Sequence, residues 1–240
     1  MKGLLPVFRR EFRASFNSPV AYGIIVAFLV FTAAWLYFVT GFFAVGLADL
    51  SPYFGLMPIV LAFIVPALTM RSWAEESRLG TAELLLTLPF GELDVVLGKF
   101  LAAWALVSTA VLLGLPVPLT AGLLGRFDPG VLFGQYLGVI LVAAAATAIG
   151  QWVSSRARNQ VSAFLGTTLL LLVLVLVDRL GTYLGTGGLA AVLLNWLSLA
   201  RHFEAFGRGV LDSRDLAYYL ATTCFFLYLT AWTIGRRKWS

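Results

Sequence analysis

Charge is what this chain has least of. Only 12% of its 240 residues are Asp, Glu, Lys or Arg, about half the roughly 25% of a soluble domain. Hydrophobic residues make up 60%, and mean hydropathy is +0.90. A water-soluble fold of this length cannot hide so much apolar surface, so the chain reads as an integral membrane protein. A single cysteine, Cys224, excludes an intrachain disulfide and says nothing of redox compartment. The single histidine, His202, has only Glu204 near it in sequence and reads as half of a surface pair, not a metal site. No G-x-S-x-G or H-E-x-x-H occurs. The stretch "GELDVVLGKF" approaches a phosphate-binding loop, but six residues separate Gly91 from Gly98, and Phe100 stands where Ser or Thr would hold magnesium. The chain therefore has no Walker motif, and no cofactor is expected on it. No ionisable residue lies near the middle of an apolar run, which argues against ion-coupled secondary transport.

What is there is a succession of long apolar runs. A spanning helix needs about 20 such residues, and the uncharged runs are Ala14–Ala48, Leu50–Met70, Phe100–Gly125, Pro129–Ser155, Asn159–Val177 and Leu216–Gly235. The first is too long for the core of a cleavable signal. A further run, Leu180–Ala200, contains Gly181, Gly185, Gly187 and Gly188, each of which weakens a helix by about 1 kcal/mol relative to Ala. It is expected to stay at the outer face or to dip in from it without crossing, with 180–215 forming one outer segment. Six spans put both termini on one side, with twelve Lys and Arg residues there and five on the other. The positive-inside rule makes the richer side cytoplasmic. This bias also accounts for the net charge of +5 without a nucleic-acid partner. Pro58, Pro66, Pro116 and Pro118 are expected to kink or interrupt the second and third spans. Gly134-x-x-x-Gly138 and Gly181-x-x-x-Gly185 have the spacing that permits close helix contact.

The N-terminal segment 1–18 is amphipathic. In "LLPVFRREFRASFNSP", Phe8, Phe12 and Phe16 recur at helical spacing, while Arg9, Arg10 and Arg13 take another side. Aromatics at the headgroup boundary and arginines meeting anionic lipid describe an interfacial helix, turned into the first span at Pro19.

The acids concentrate in "EESRLGTAELLLTLPFGELDVVLGK", Glu75 to Lys99, within a charged segment covering 72–98. Thr81 is expected to cap a short helix after Gly80, with Glu83 in its first turn. Pro89 ends it, and a second helix restarts into the third span. Leu84, Leu85, Leu86 and Leu88 are too many leucines for a connector facing only water. They suggest docking onto another protein or back onto the spans.

These residues resemble a known family. "EESRLGTAELLLTLP" followed by "VVLGK" looks like the cytoplasmic coupling segment of ABC-2-type transporter permeases, and "REFRASFNSPVAY" like their amphipathic N-terminal helix. "LSLARHFEAFGRGVLDSRDLAYYL" resembles the outer segment and last span of the gliding-motility-associated (GldF-type) branch. The resemblance covers nearly the whole chain, 1–240, as one transmembrane domain. It implies an all-α fold of six transmembrane helices with an interfacial helix and a cytoplasmic coupling helix, in a bacterial cytoplasmic membrane. It also implies a separate ABC ATPase, in two copies, that holds ATP and Mg, and a second permease subunit, identical or homologous. Gly80, Thr81, Glu83, Leu84 and Leu85 would match the coupling helix, with Glu75, Glu76 and Arg78 as its approach. Two further readings stand beside an exporter. One is a subunit that transmits force to an outer-face partner. The other is a lipid-modifying membrane enzyme, for which Arg201–Asp215 is the one candidate segment.

Overall fold

A computed structural model describes residues 3–40, 49–80, 91–124, 128–183 and 188–237. Among them there is no strand. The helices are α1 (Leu4–Phe16), α2 (Pro19–Ala34), α3 (Ser51–Thr69), α4 (Ala74–Leu79), α5 (Glu92–Leu113), α6 (Pro116–Leu124), α7 (Pro129–Arg156), α8 (Gln160–Tyr183), α9 (Leu189–Leu197), α10 (Leu199–Gly207) and α11 (Ser213–Arg237). Six helical stretches are long and apolar enough to cross a membrane: Pro19–Val39, Ser51–Leu79, Glu92–Gly122, Pro129–Arg156, Gln160–Arg179 and Ser213–Arg236. Each matches one expected run.

Local chemistry explains where they begin. Pro19 and Pro129 open α2 and α7 at the position where a missing N–H costs nothing. Asp128 caps α7 by accepting the N–H of Gly130 at 2.8 Å. Pro116 stands where the third span breaks, between the end of α5 at Leu113 and the start of α6. Pro58 and Pro66 do not interrupt α3, which runs through both with their rings buried in the bundle. Past Ala34 the first span loosens into a π-helical turn, Trp35–Val39, which no sequence signal announced.

The bundle is built around α7, against which α3, α5, α8, α10 and α11 all pack. The alanines of α7 (Ala143, Ala145, Ala146, Ala148) are buried. Small side chains let helices approach closely where lipid offers no hydrophobic drive. At Gly150 any Cβ would collide with the Thr69 side chain of α3. Phe54 meets Tyr136 edge-on at 5.1 Å within the main apolar core. At the periphery α2 exposes Val26, Val30 and Phe31, and α11 exposes Leu220, Phe225 and Tyr228, the faces expected to meet acyl chains.

The run Leu180–Ala200 is not a seventh span. α8 continues through its first residues to Tyr183, so the boundary drawn at 180 falls inside a helix. Then come α9 and α10, nine residues each, or about 13 Å at 1.5 Å per residue against a hydrocarbon core of about 30 Å. The Gly134 and Gly138 spacing seats α10. A Cβ at Gly138 would lie 2.5 Å from Cβ of Phe206, and one at Gly134 would lie 3.1 Å from the Gly209 backbone. Gln135 Nε2 donates to the Gly207 carbonyl at 2.8 Å, and Tyr219 Oη donates to Leu199 O at 2.7 Å. Gly185 lies outside the described residues.

Candidate functional site

The start of α1 and the close of α11 lie at one end of the bundle, with Gly3 bonded to Asp94 and Gly235 against Glu92, and the charged stretch begins there. α4 carries Glu75 and Glu76 in its first turn and Arg78 in its last, the polarity that suits a helix dipole. Gly80 closes α4 in the left-handed conformation, φ +68°, where a side chain is strained. Thr81, Glu83, Leu84 and Leu85, with the expected helix Thr81–Leu88 and Pro89, lie outside the described residues. Glu92 then opens α5 after the extended Gly91, as the restart into the third span required.

The centre of this end is Lys99, one side chain the sequence did not single out. Its ammonium group donates to Glu76 Oε1 at 2.7 Å, to the Ser72 carbonyl at 2.9 Å and to Glu11 Oε1 at 3.2 Å. It also lies 5.0 Å from the ring centre of Trp73, within cation–π range. The Lys99 side chain is 1% exposed, and those of Glu76 and Glu11 are 15% and 23% exposed. All three ammonium hydrogens therefore have acceptors, which is the condition for burying a charge. Arg10 closes the group from the surface, 3.0 Å from Glu11 and 3.6 Å from Glu76.

A second set of bonds holds the turn between α3 and α4. Ser154 Oγ, from α7, donates to the Met70 carbonyl and accepts the N–H groups of Trp73 and Ala74, all at 3.2 Å. Gln160 Nε2, at the start of α8, donates to Glu75 Oε2 at 2.6 Å, while Arg78 lies 3.6 Å from Glu75. The two leading acids, which the sequence placed in a docking surface, are thus engaged within the chain. Arg78 is left largely exposed. The root of the charged stretch is pinned to α1, α5, α7 and α8 before the chain reaches Gly80.

The N-terminal helix has three faces where the sequence suggested two. Phe8 stacks on Phe12 at 5.4 Å, Phe12 meets Phe16 tilted at 4.8 Å, and Phe16 meets Tyr22 edge-on at 6.3 Å. Arg9, Arg10 and Arg13 are exposed. The third face, Leu4, Val7 and Glu11, packs on α5. There Gly98 is met so closely that a Cβ would lie 2.8 Å from Val7 Cγ1, and Gly3 N–H donates to buried Asp94 at 3.2 Å. Glu11 was the available signal: a lone acid among arginines, in helical register with Leu4 and Val7.

At the opposite end, His202 pairs with Asp215, Nδ1 to Oδ1 at 2.6 Å, not with Glu204. Nε2 lies 3.1 Å from the Trp196 carbonyl, and the ring stacks on Tyr218 at 3.8 Å. Both ring nitrogens are occupied, so the group fastens α10 to α11. Ser198 Oγ likewise ties α10 to Asp178 of α8 at 3.1 Å. Among the described residues no three His, Cys, Asp or Glu gather as metal ligands.

No curated protein matches the chain. One family does: the family described as ABC-2 family transporter protein matches residues 5–235.

Proposed function

The chain belongs to the ABC-2 transporter family as a multi-pass membrane component, and from that premise we propose that it is a permease subunit through which a separate ATPase drives export across a bacterial cytoplasmic membrane. Mg and ATP reside on that ATPase, present in two copies, and a second permease subunit, identical or homologous, completes the pathway. The end carrying the termini faces the cytoplasm. Within the family, the resemblance of "LSLARHFEAFGRGVLDSRDLAYYL" to the outer segment and last span of the gliding-motility-associated branch supports membership of that branch.

The observation that supports the coupling reading is the Lys99 junction. A loop that only connected two spans would not need its root tied to α1 and α5 through a buried ion cluster and to α7 through Ser154. Force applied beyond Gly80 would pass by way of Glu76 to α5 and the N-terminal helix together, and by way of Ser154 to the central α7. In this reading the leucines of Thr81–Leu88 dock on the ATPase, Glu83 sets orientation at the rim, and Glu75 and Glu76 hold the segment from behind. Buried apolar anchors supply affinity, while rim charges govern approach.

The test is Leu84→Ala with Leu85→Ala. An anchor cut to alanine costs at least about 2 kcal/mol, so co-purification of the ATPase in mild detergent should fall more than tenfold while the permease still inserts. Mass spectrometry of the co-purifying proteins identifies the partner. A double variant that retains its ATPase and wild-type transport reduces the segment to a connector.

A further inference from the structure

The exposed apolar residues of α2, and Leu220 and Tyr228 of α11, need nothing more specific than bulk lipid to cover them. One feature at the end opposite the termini differs, because it is concave and has a charged mouth. A groove of about 660 Å³ runs between α8 and α11, beneath Trp196 and His202. Its floor is made by Ala217 and Ala221, one helical turn apart. Phe225 lines it a further turn on, and Leu170 and Leu174 of α8 form the facing wall. At the mouth stand Arg214 and the His202–Tyr218 stack.

We propose that this groove holds one acyl chain of an anionic phospholipid, with its phosphate at Arg214. Length is the first reason. From Arg214 to Phe225 the helix climbs eleven residues, about 16 Å, which is close to half of a ~30 Å hydrocarbon core. A groove of that length matches the depth of one leaflet and so of a single lipid tail. Charge is the second. Asp215 is held by His202 at 2.6 Å, and Asp212 Oδ1 accepts the backbone N–H of Arg214 at 2.8 Å. The Arg214 guanidinium makes no ion pair among the described residues, and a phosphate would complement it. The third is the aromatic collar. Trp196 and Tyr218 meet edge-on at 6.0 Å, and Tyr218 Oη donates to Leu197 O at 2.8 Å. Such rings mark the headgroup level of a bilayer. The proposal does not depend on the ATPase or on the coupling segment.

Native mass spectrometry of the full-length protein, titrated in mild detergent with phosphatidylglycerol or phosphatidylcholine of identical chains, tests it. The wild type should retain the anionic lipid about fivefold more, the worth of one basic residue beside anionic lipid. Arg214→Gln should abolish that preference. Arg208→Gln, an exposed arginine at the same end lining a different cleft, should keep it. Ala221→Phe, or Ala217→Leu if the first does not fold, should fill the floor and remove both lipids. Retained preference in Arg214→Gln overturns the proposal, as do undiminished adducts in the filled variants. A cysteine at position 221 that cross-links two copies of the chain in the bilayer also overturns it, because the occupant is then a second subunit.

Discussion

Lys99 has the most to lose from a change of one side chain. It is buried, and its charge is balanced by two carboxylates from different helices. Removing one member of a buried pair leaves the others uncompensated, at a cost of about 3–5 kcal/mol in fully dry sites. Glu11 and Glu76 retain partial contact with solvent, which brings the expected loss for Lys99→Met to about 2–3 kcal/mol, since exposed charges are worth less. Thermal unfolding in detergent measures it. A double-mutant cycle with Glu76→Gln should return a coupling of at least about 1 kcal/mol, where independent sites add to within about 0.5. Additive losses would mean that the short contact carries no coupling. The sequence showed that acids gather near this position, because Glu75 and Glu76 are adjacent. It did not show where they point. Lys99 meets Glu11 across 88 positions and Glu76 across 23, and a lysine at the mouth of an apolar run looks the same whether it snorkels to water or turns inward.

At the scale of elements, the clearest sequence signals were those with a strong local cause. Pro116 marked the break between α5 and α6, the glycine-rich run forecast a segment that does not cross, and the phenylalanine spacing forecast α1. What periodicity cannot reveal is a partner. α1 looked like a helix lying on lipid, yet its Leu4–Val7–Glu11 face is seated on α5 at Gly98. That seat is tight enough to be tested. Gly98→Leu inserts a side chain where even a Cβ would meet Val7 Cγ1 at 2.8 Å and the Leu4 carbonyl at 3.2 Å. Overpacking of this kind costs about 1–3 kcal/mol. The less costly escape is for α1 to lift away, so amide exchange across Leu4–Phe16 should quicken while α7 stays protected. Gly23→Leu is the control, since nothing lies within 4 Å of a Cβ there. Unchanged exchange in Gly98→Leu would mean that α1 is not held through this seat. The π-helical turn at Trp35–Val39 had no comparable signal, because no proline or glycine falls within it.

For the molecule as a whole, the decisive quantity is parity. Six crossings return the chain to the side on which it began, and seven would not. α9 and α10, at about 13 Å each, cannot supply the seventh. Both termini therefore share an end with α4, the start of α5 and the close of α7, and that end carries most of the Lys and Arg. Positive charge is retained on the cytoplasmic side during insertion, which fixes the expected sidedness. In a background where Cys224 is replaced by Ser, single cysteines at Asp128 and Arg78 report the two ends. Both positions are exposed, so access and not burial decides the outcome. A membrane-impermeant maleimide applied to intact cells should label position 128 and spare position 78, and permeabilised cells should label both. The reverse pattern would invert the molecule and place the Lys99 junction outside, beyond reach of any ATP-driven partner. Labelling of both in sealed cells would mean that an odd number of crossings separates them no longer, and the six-span topology would fall with it.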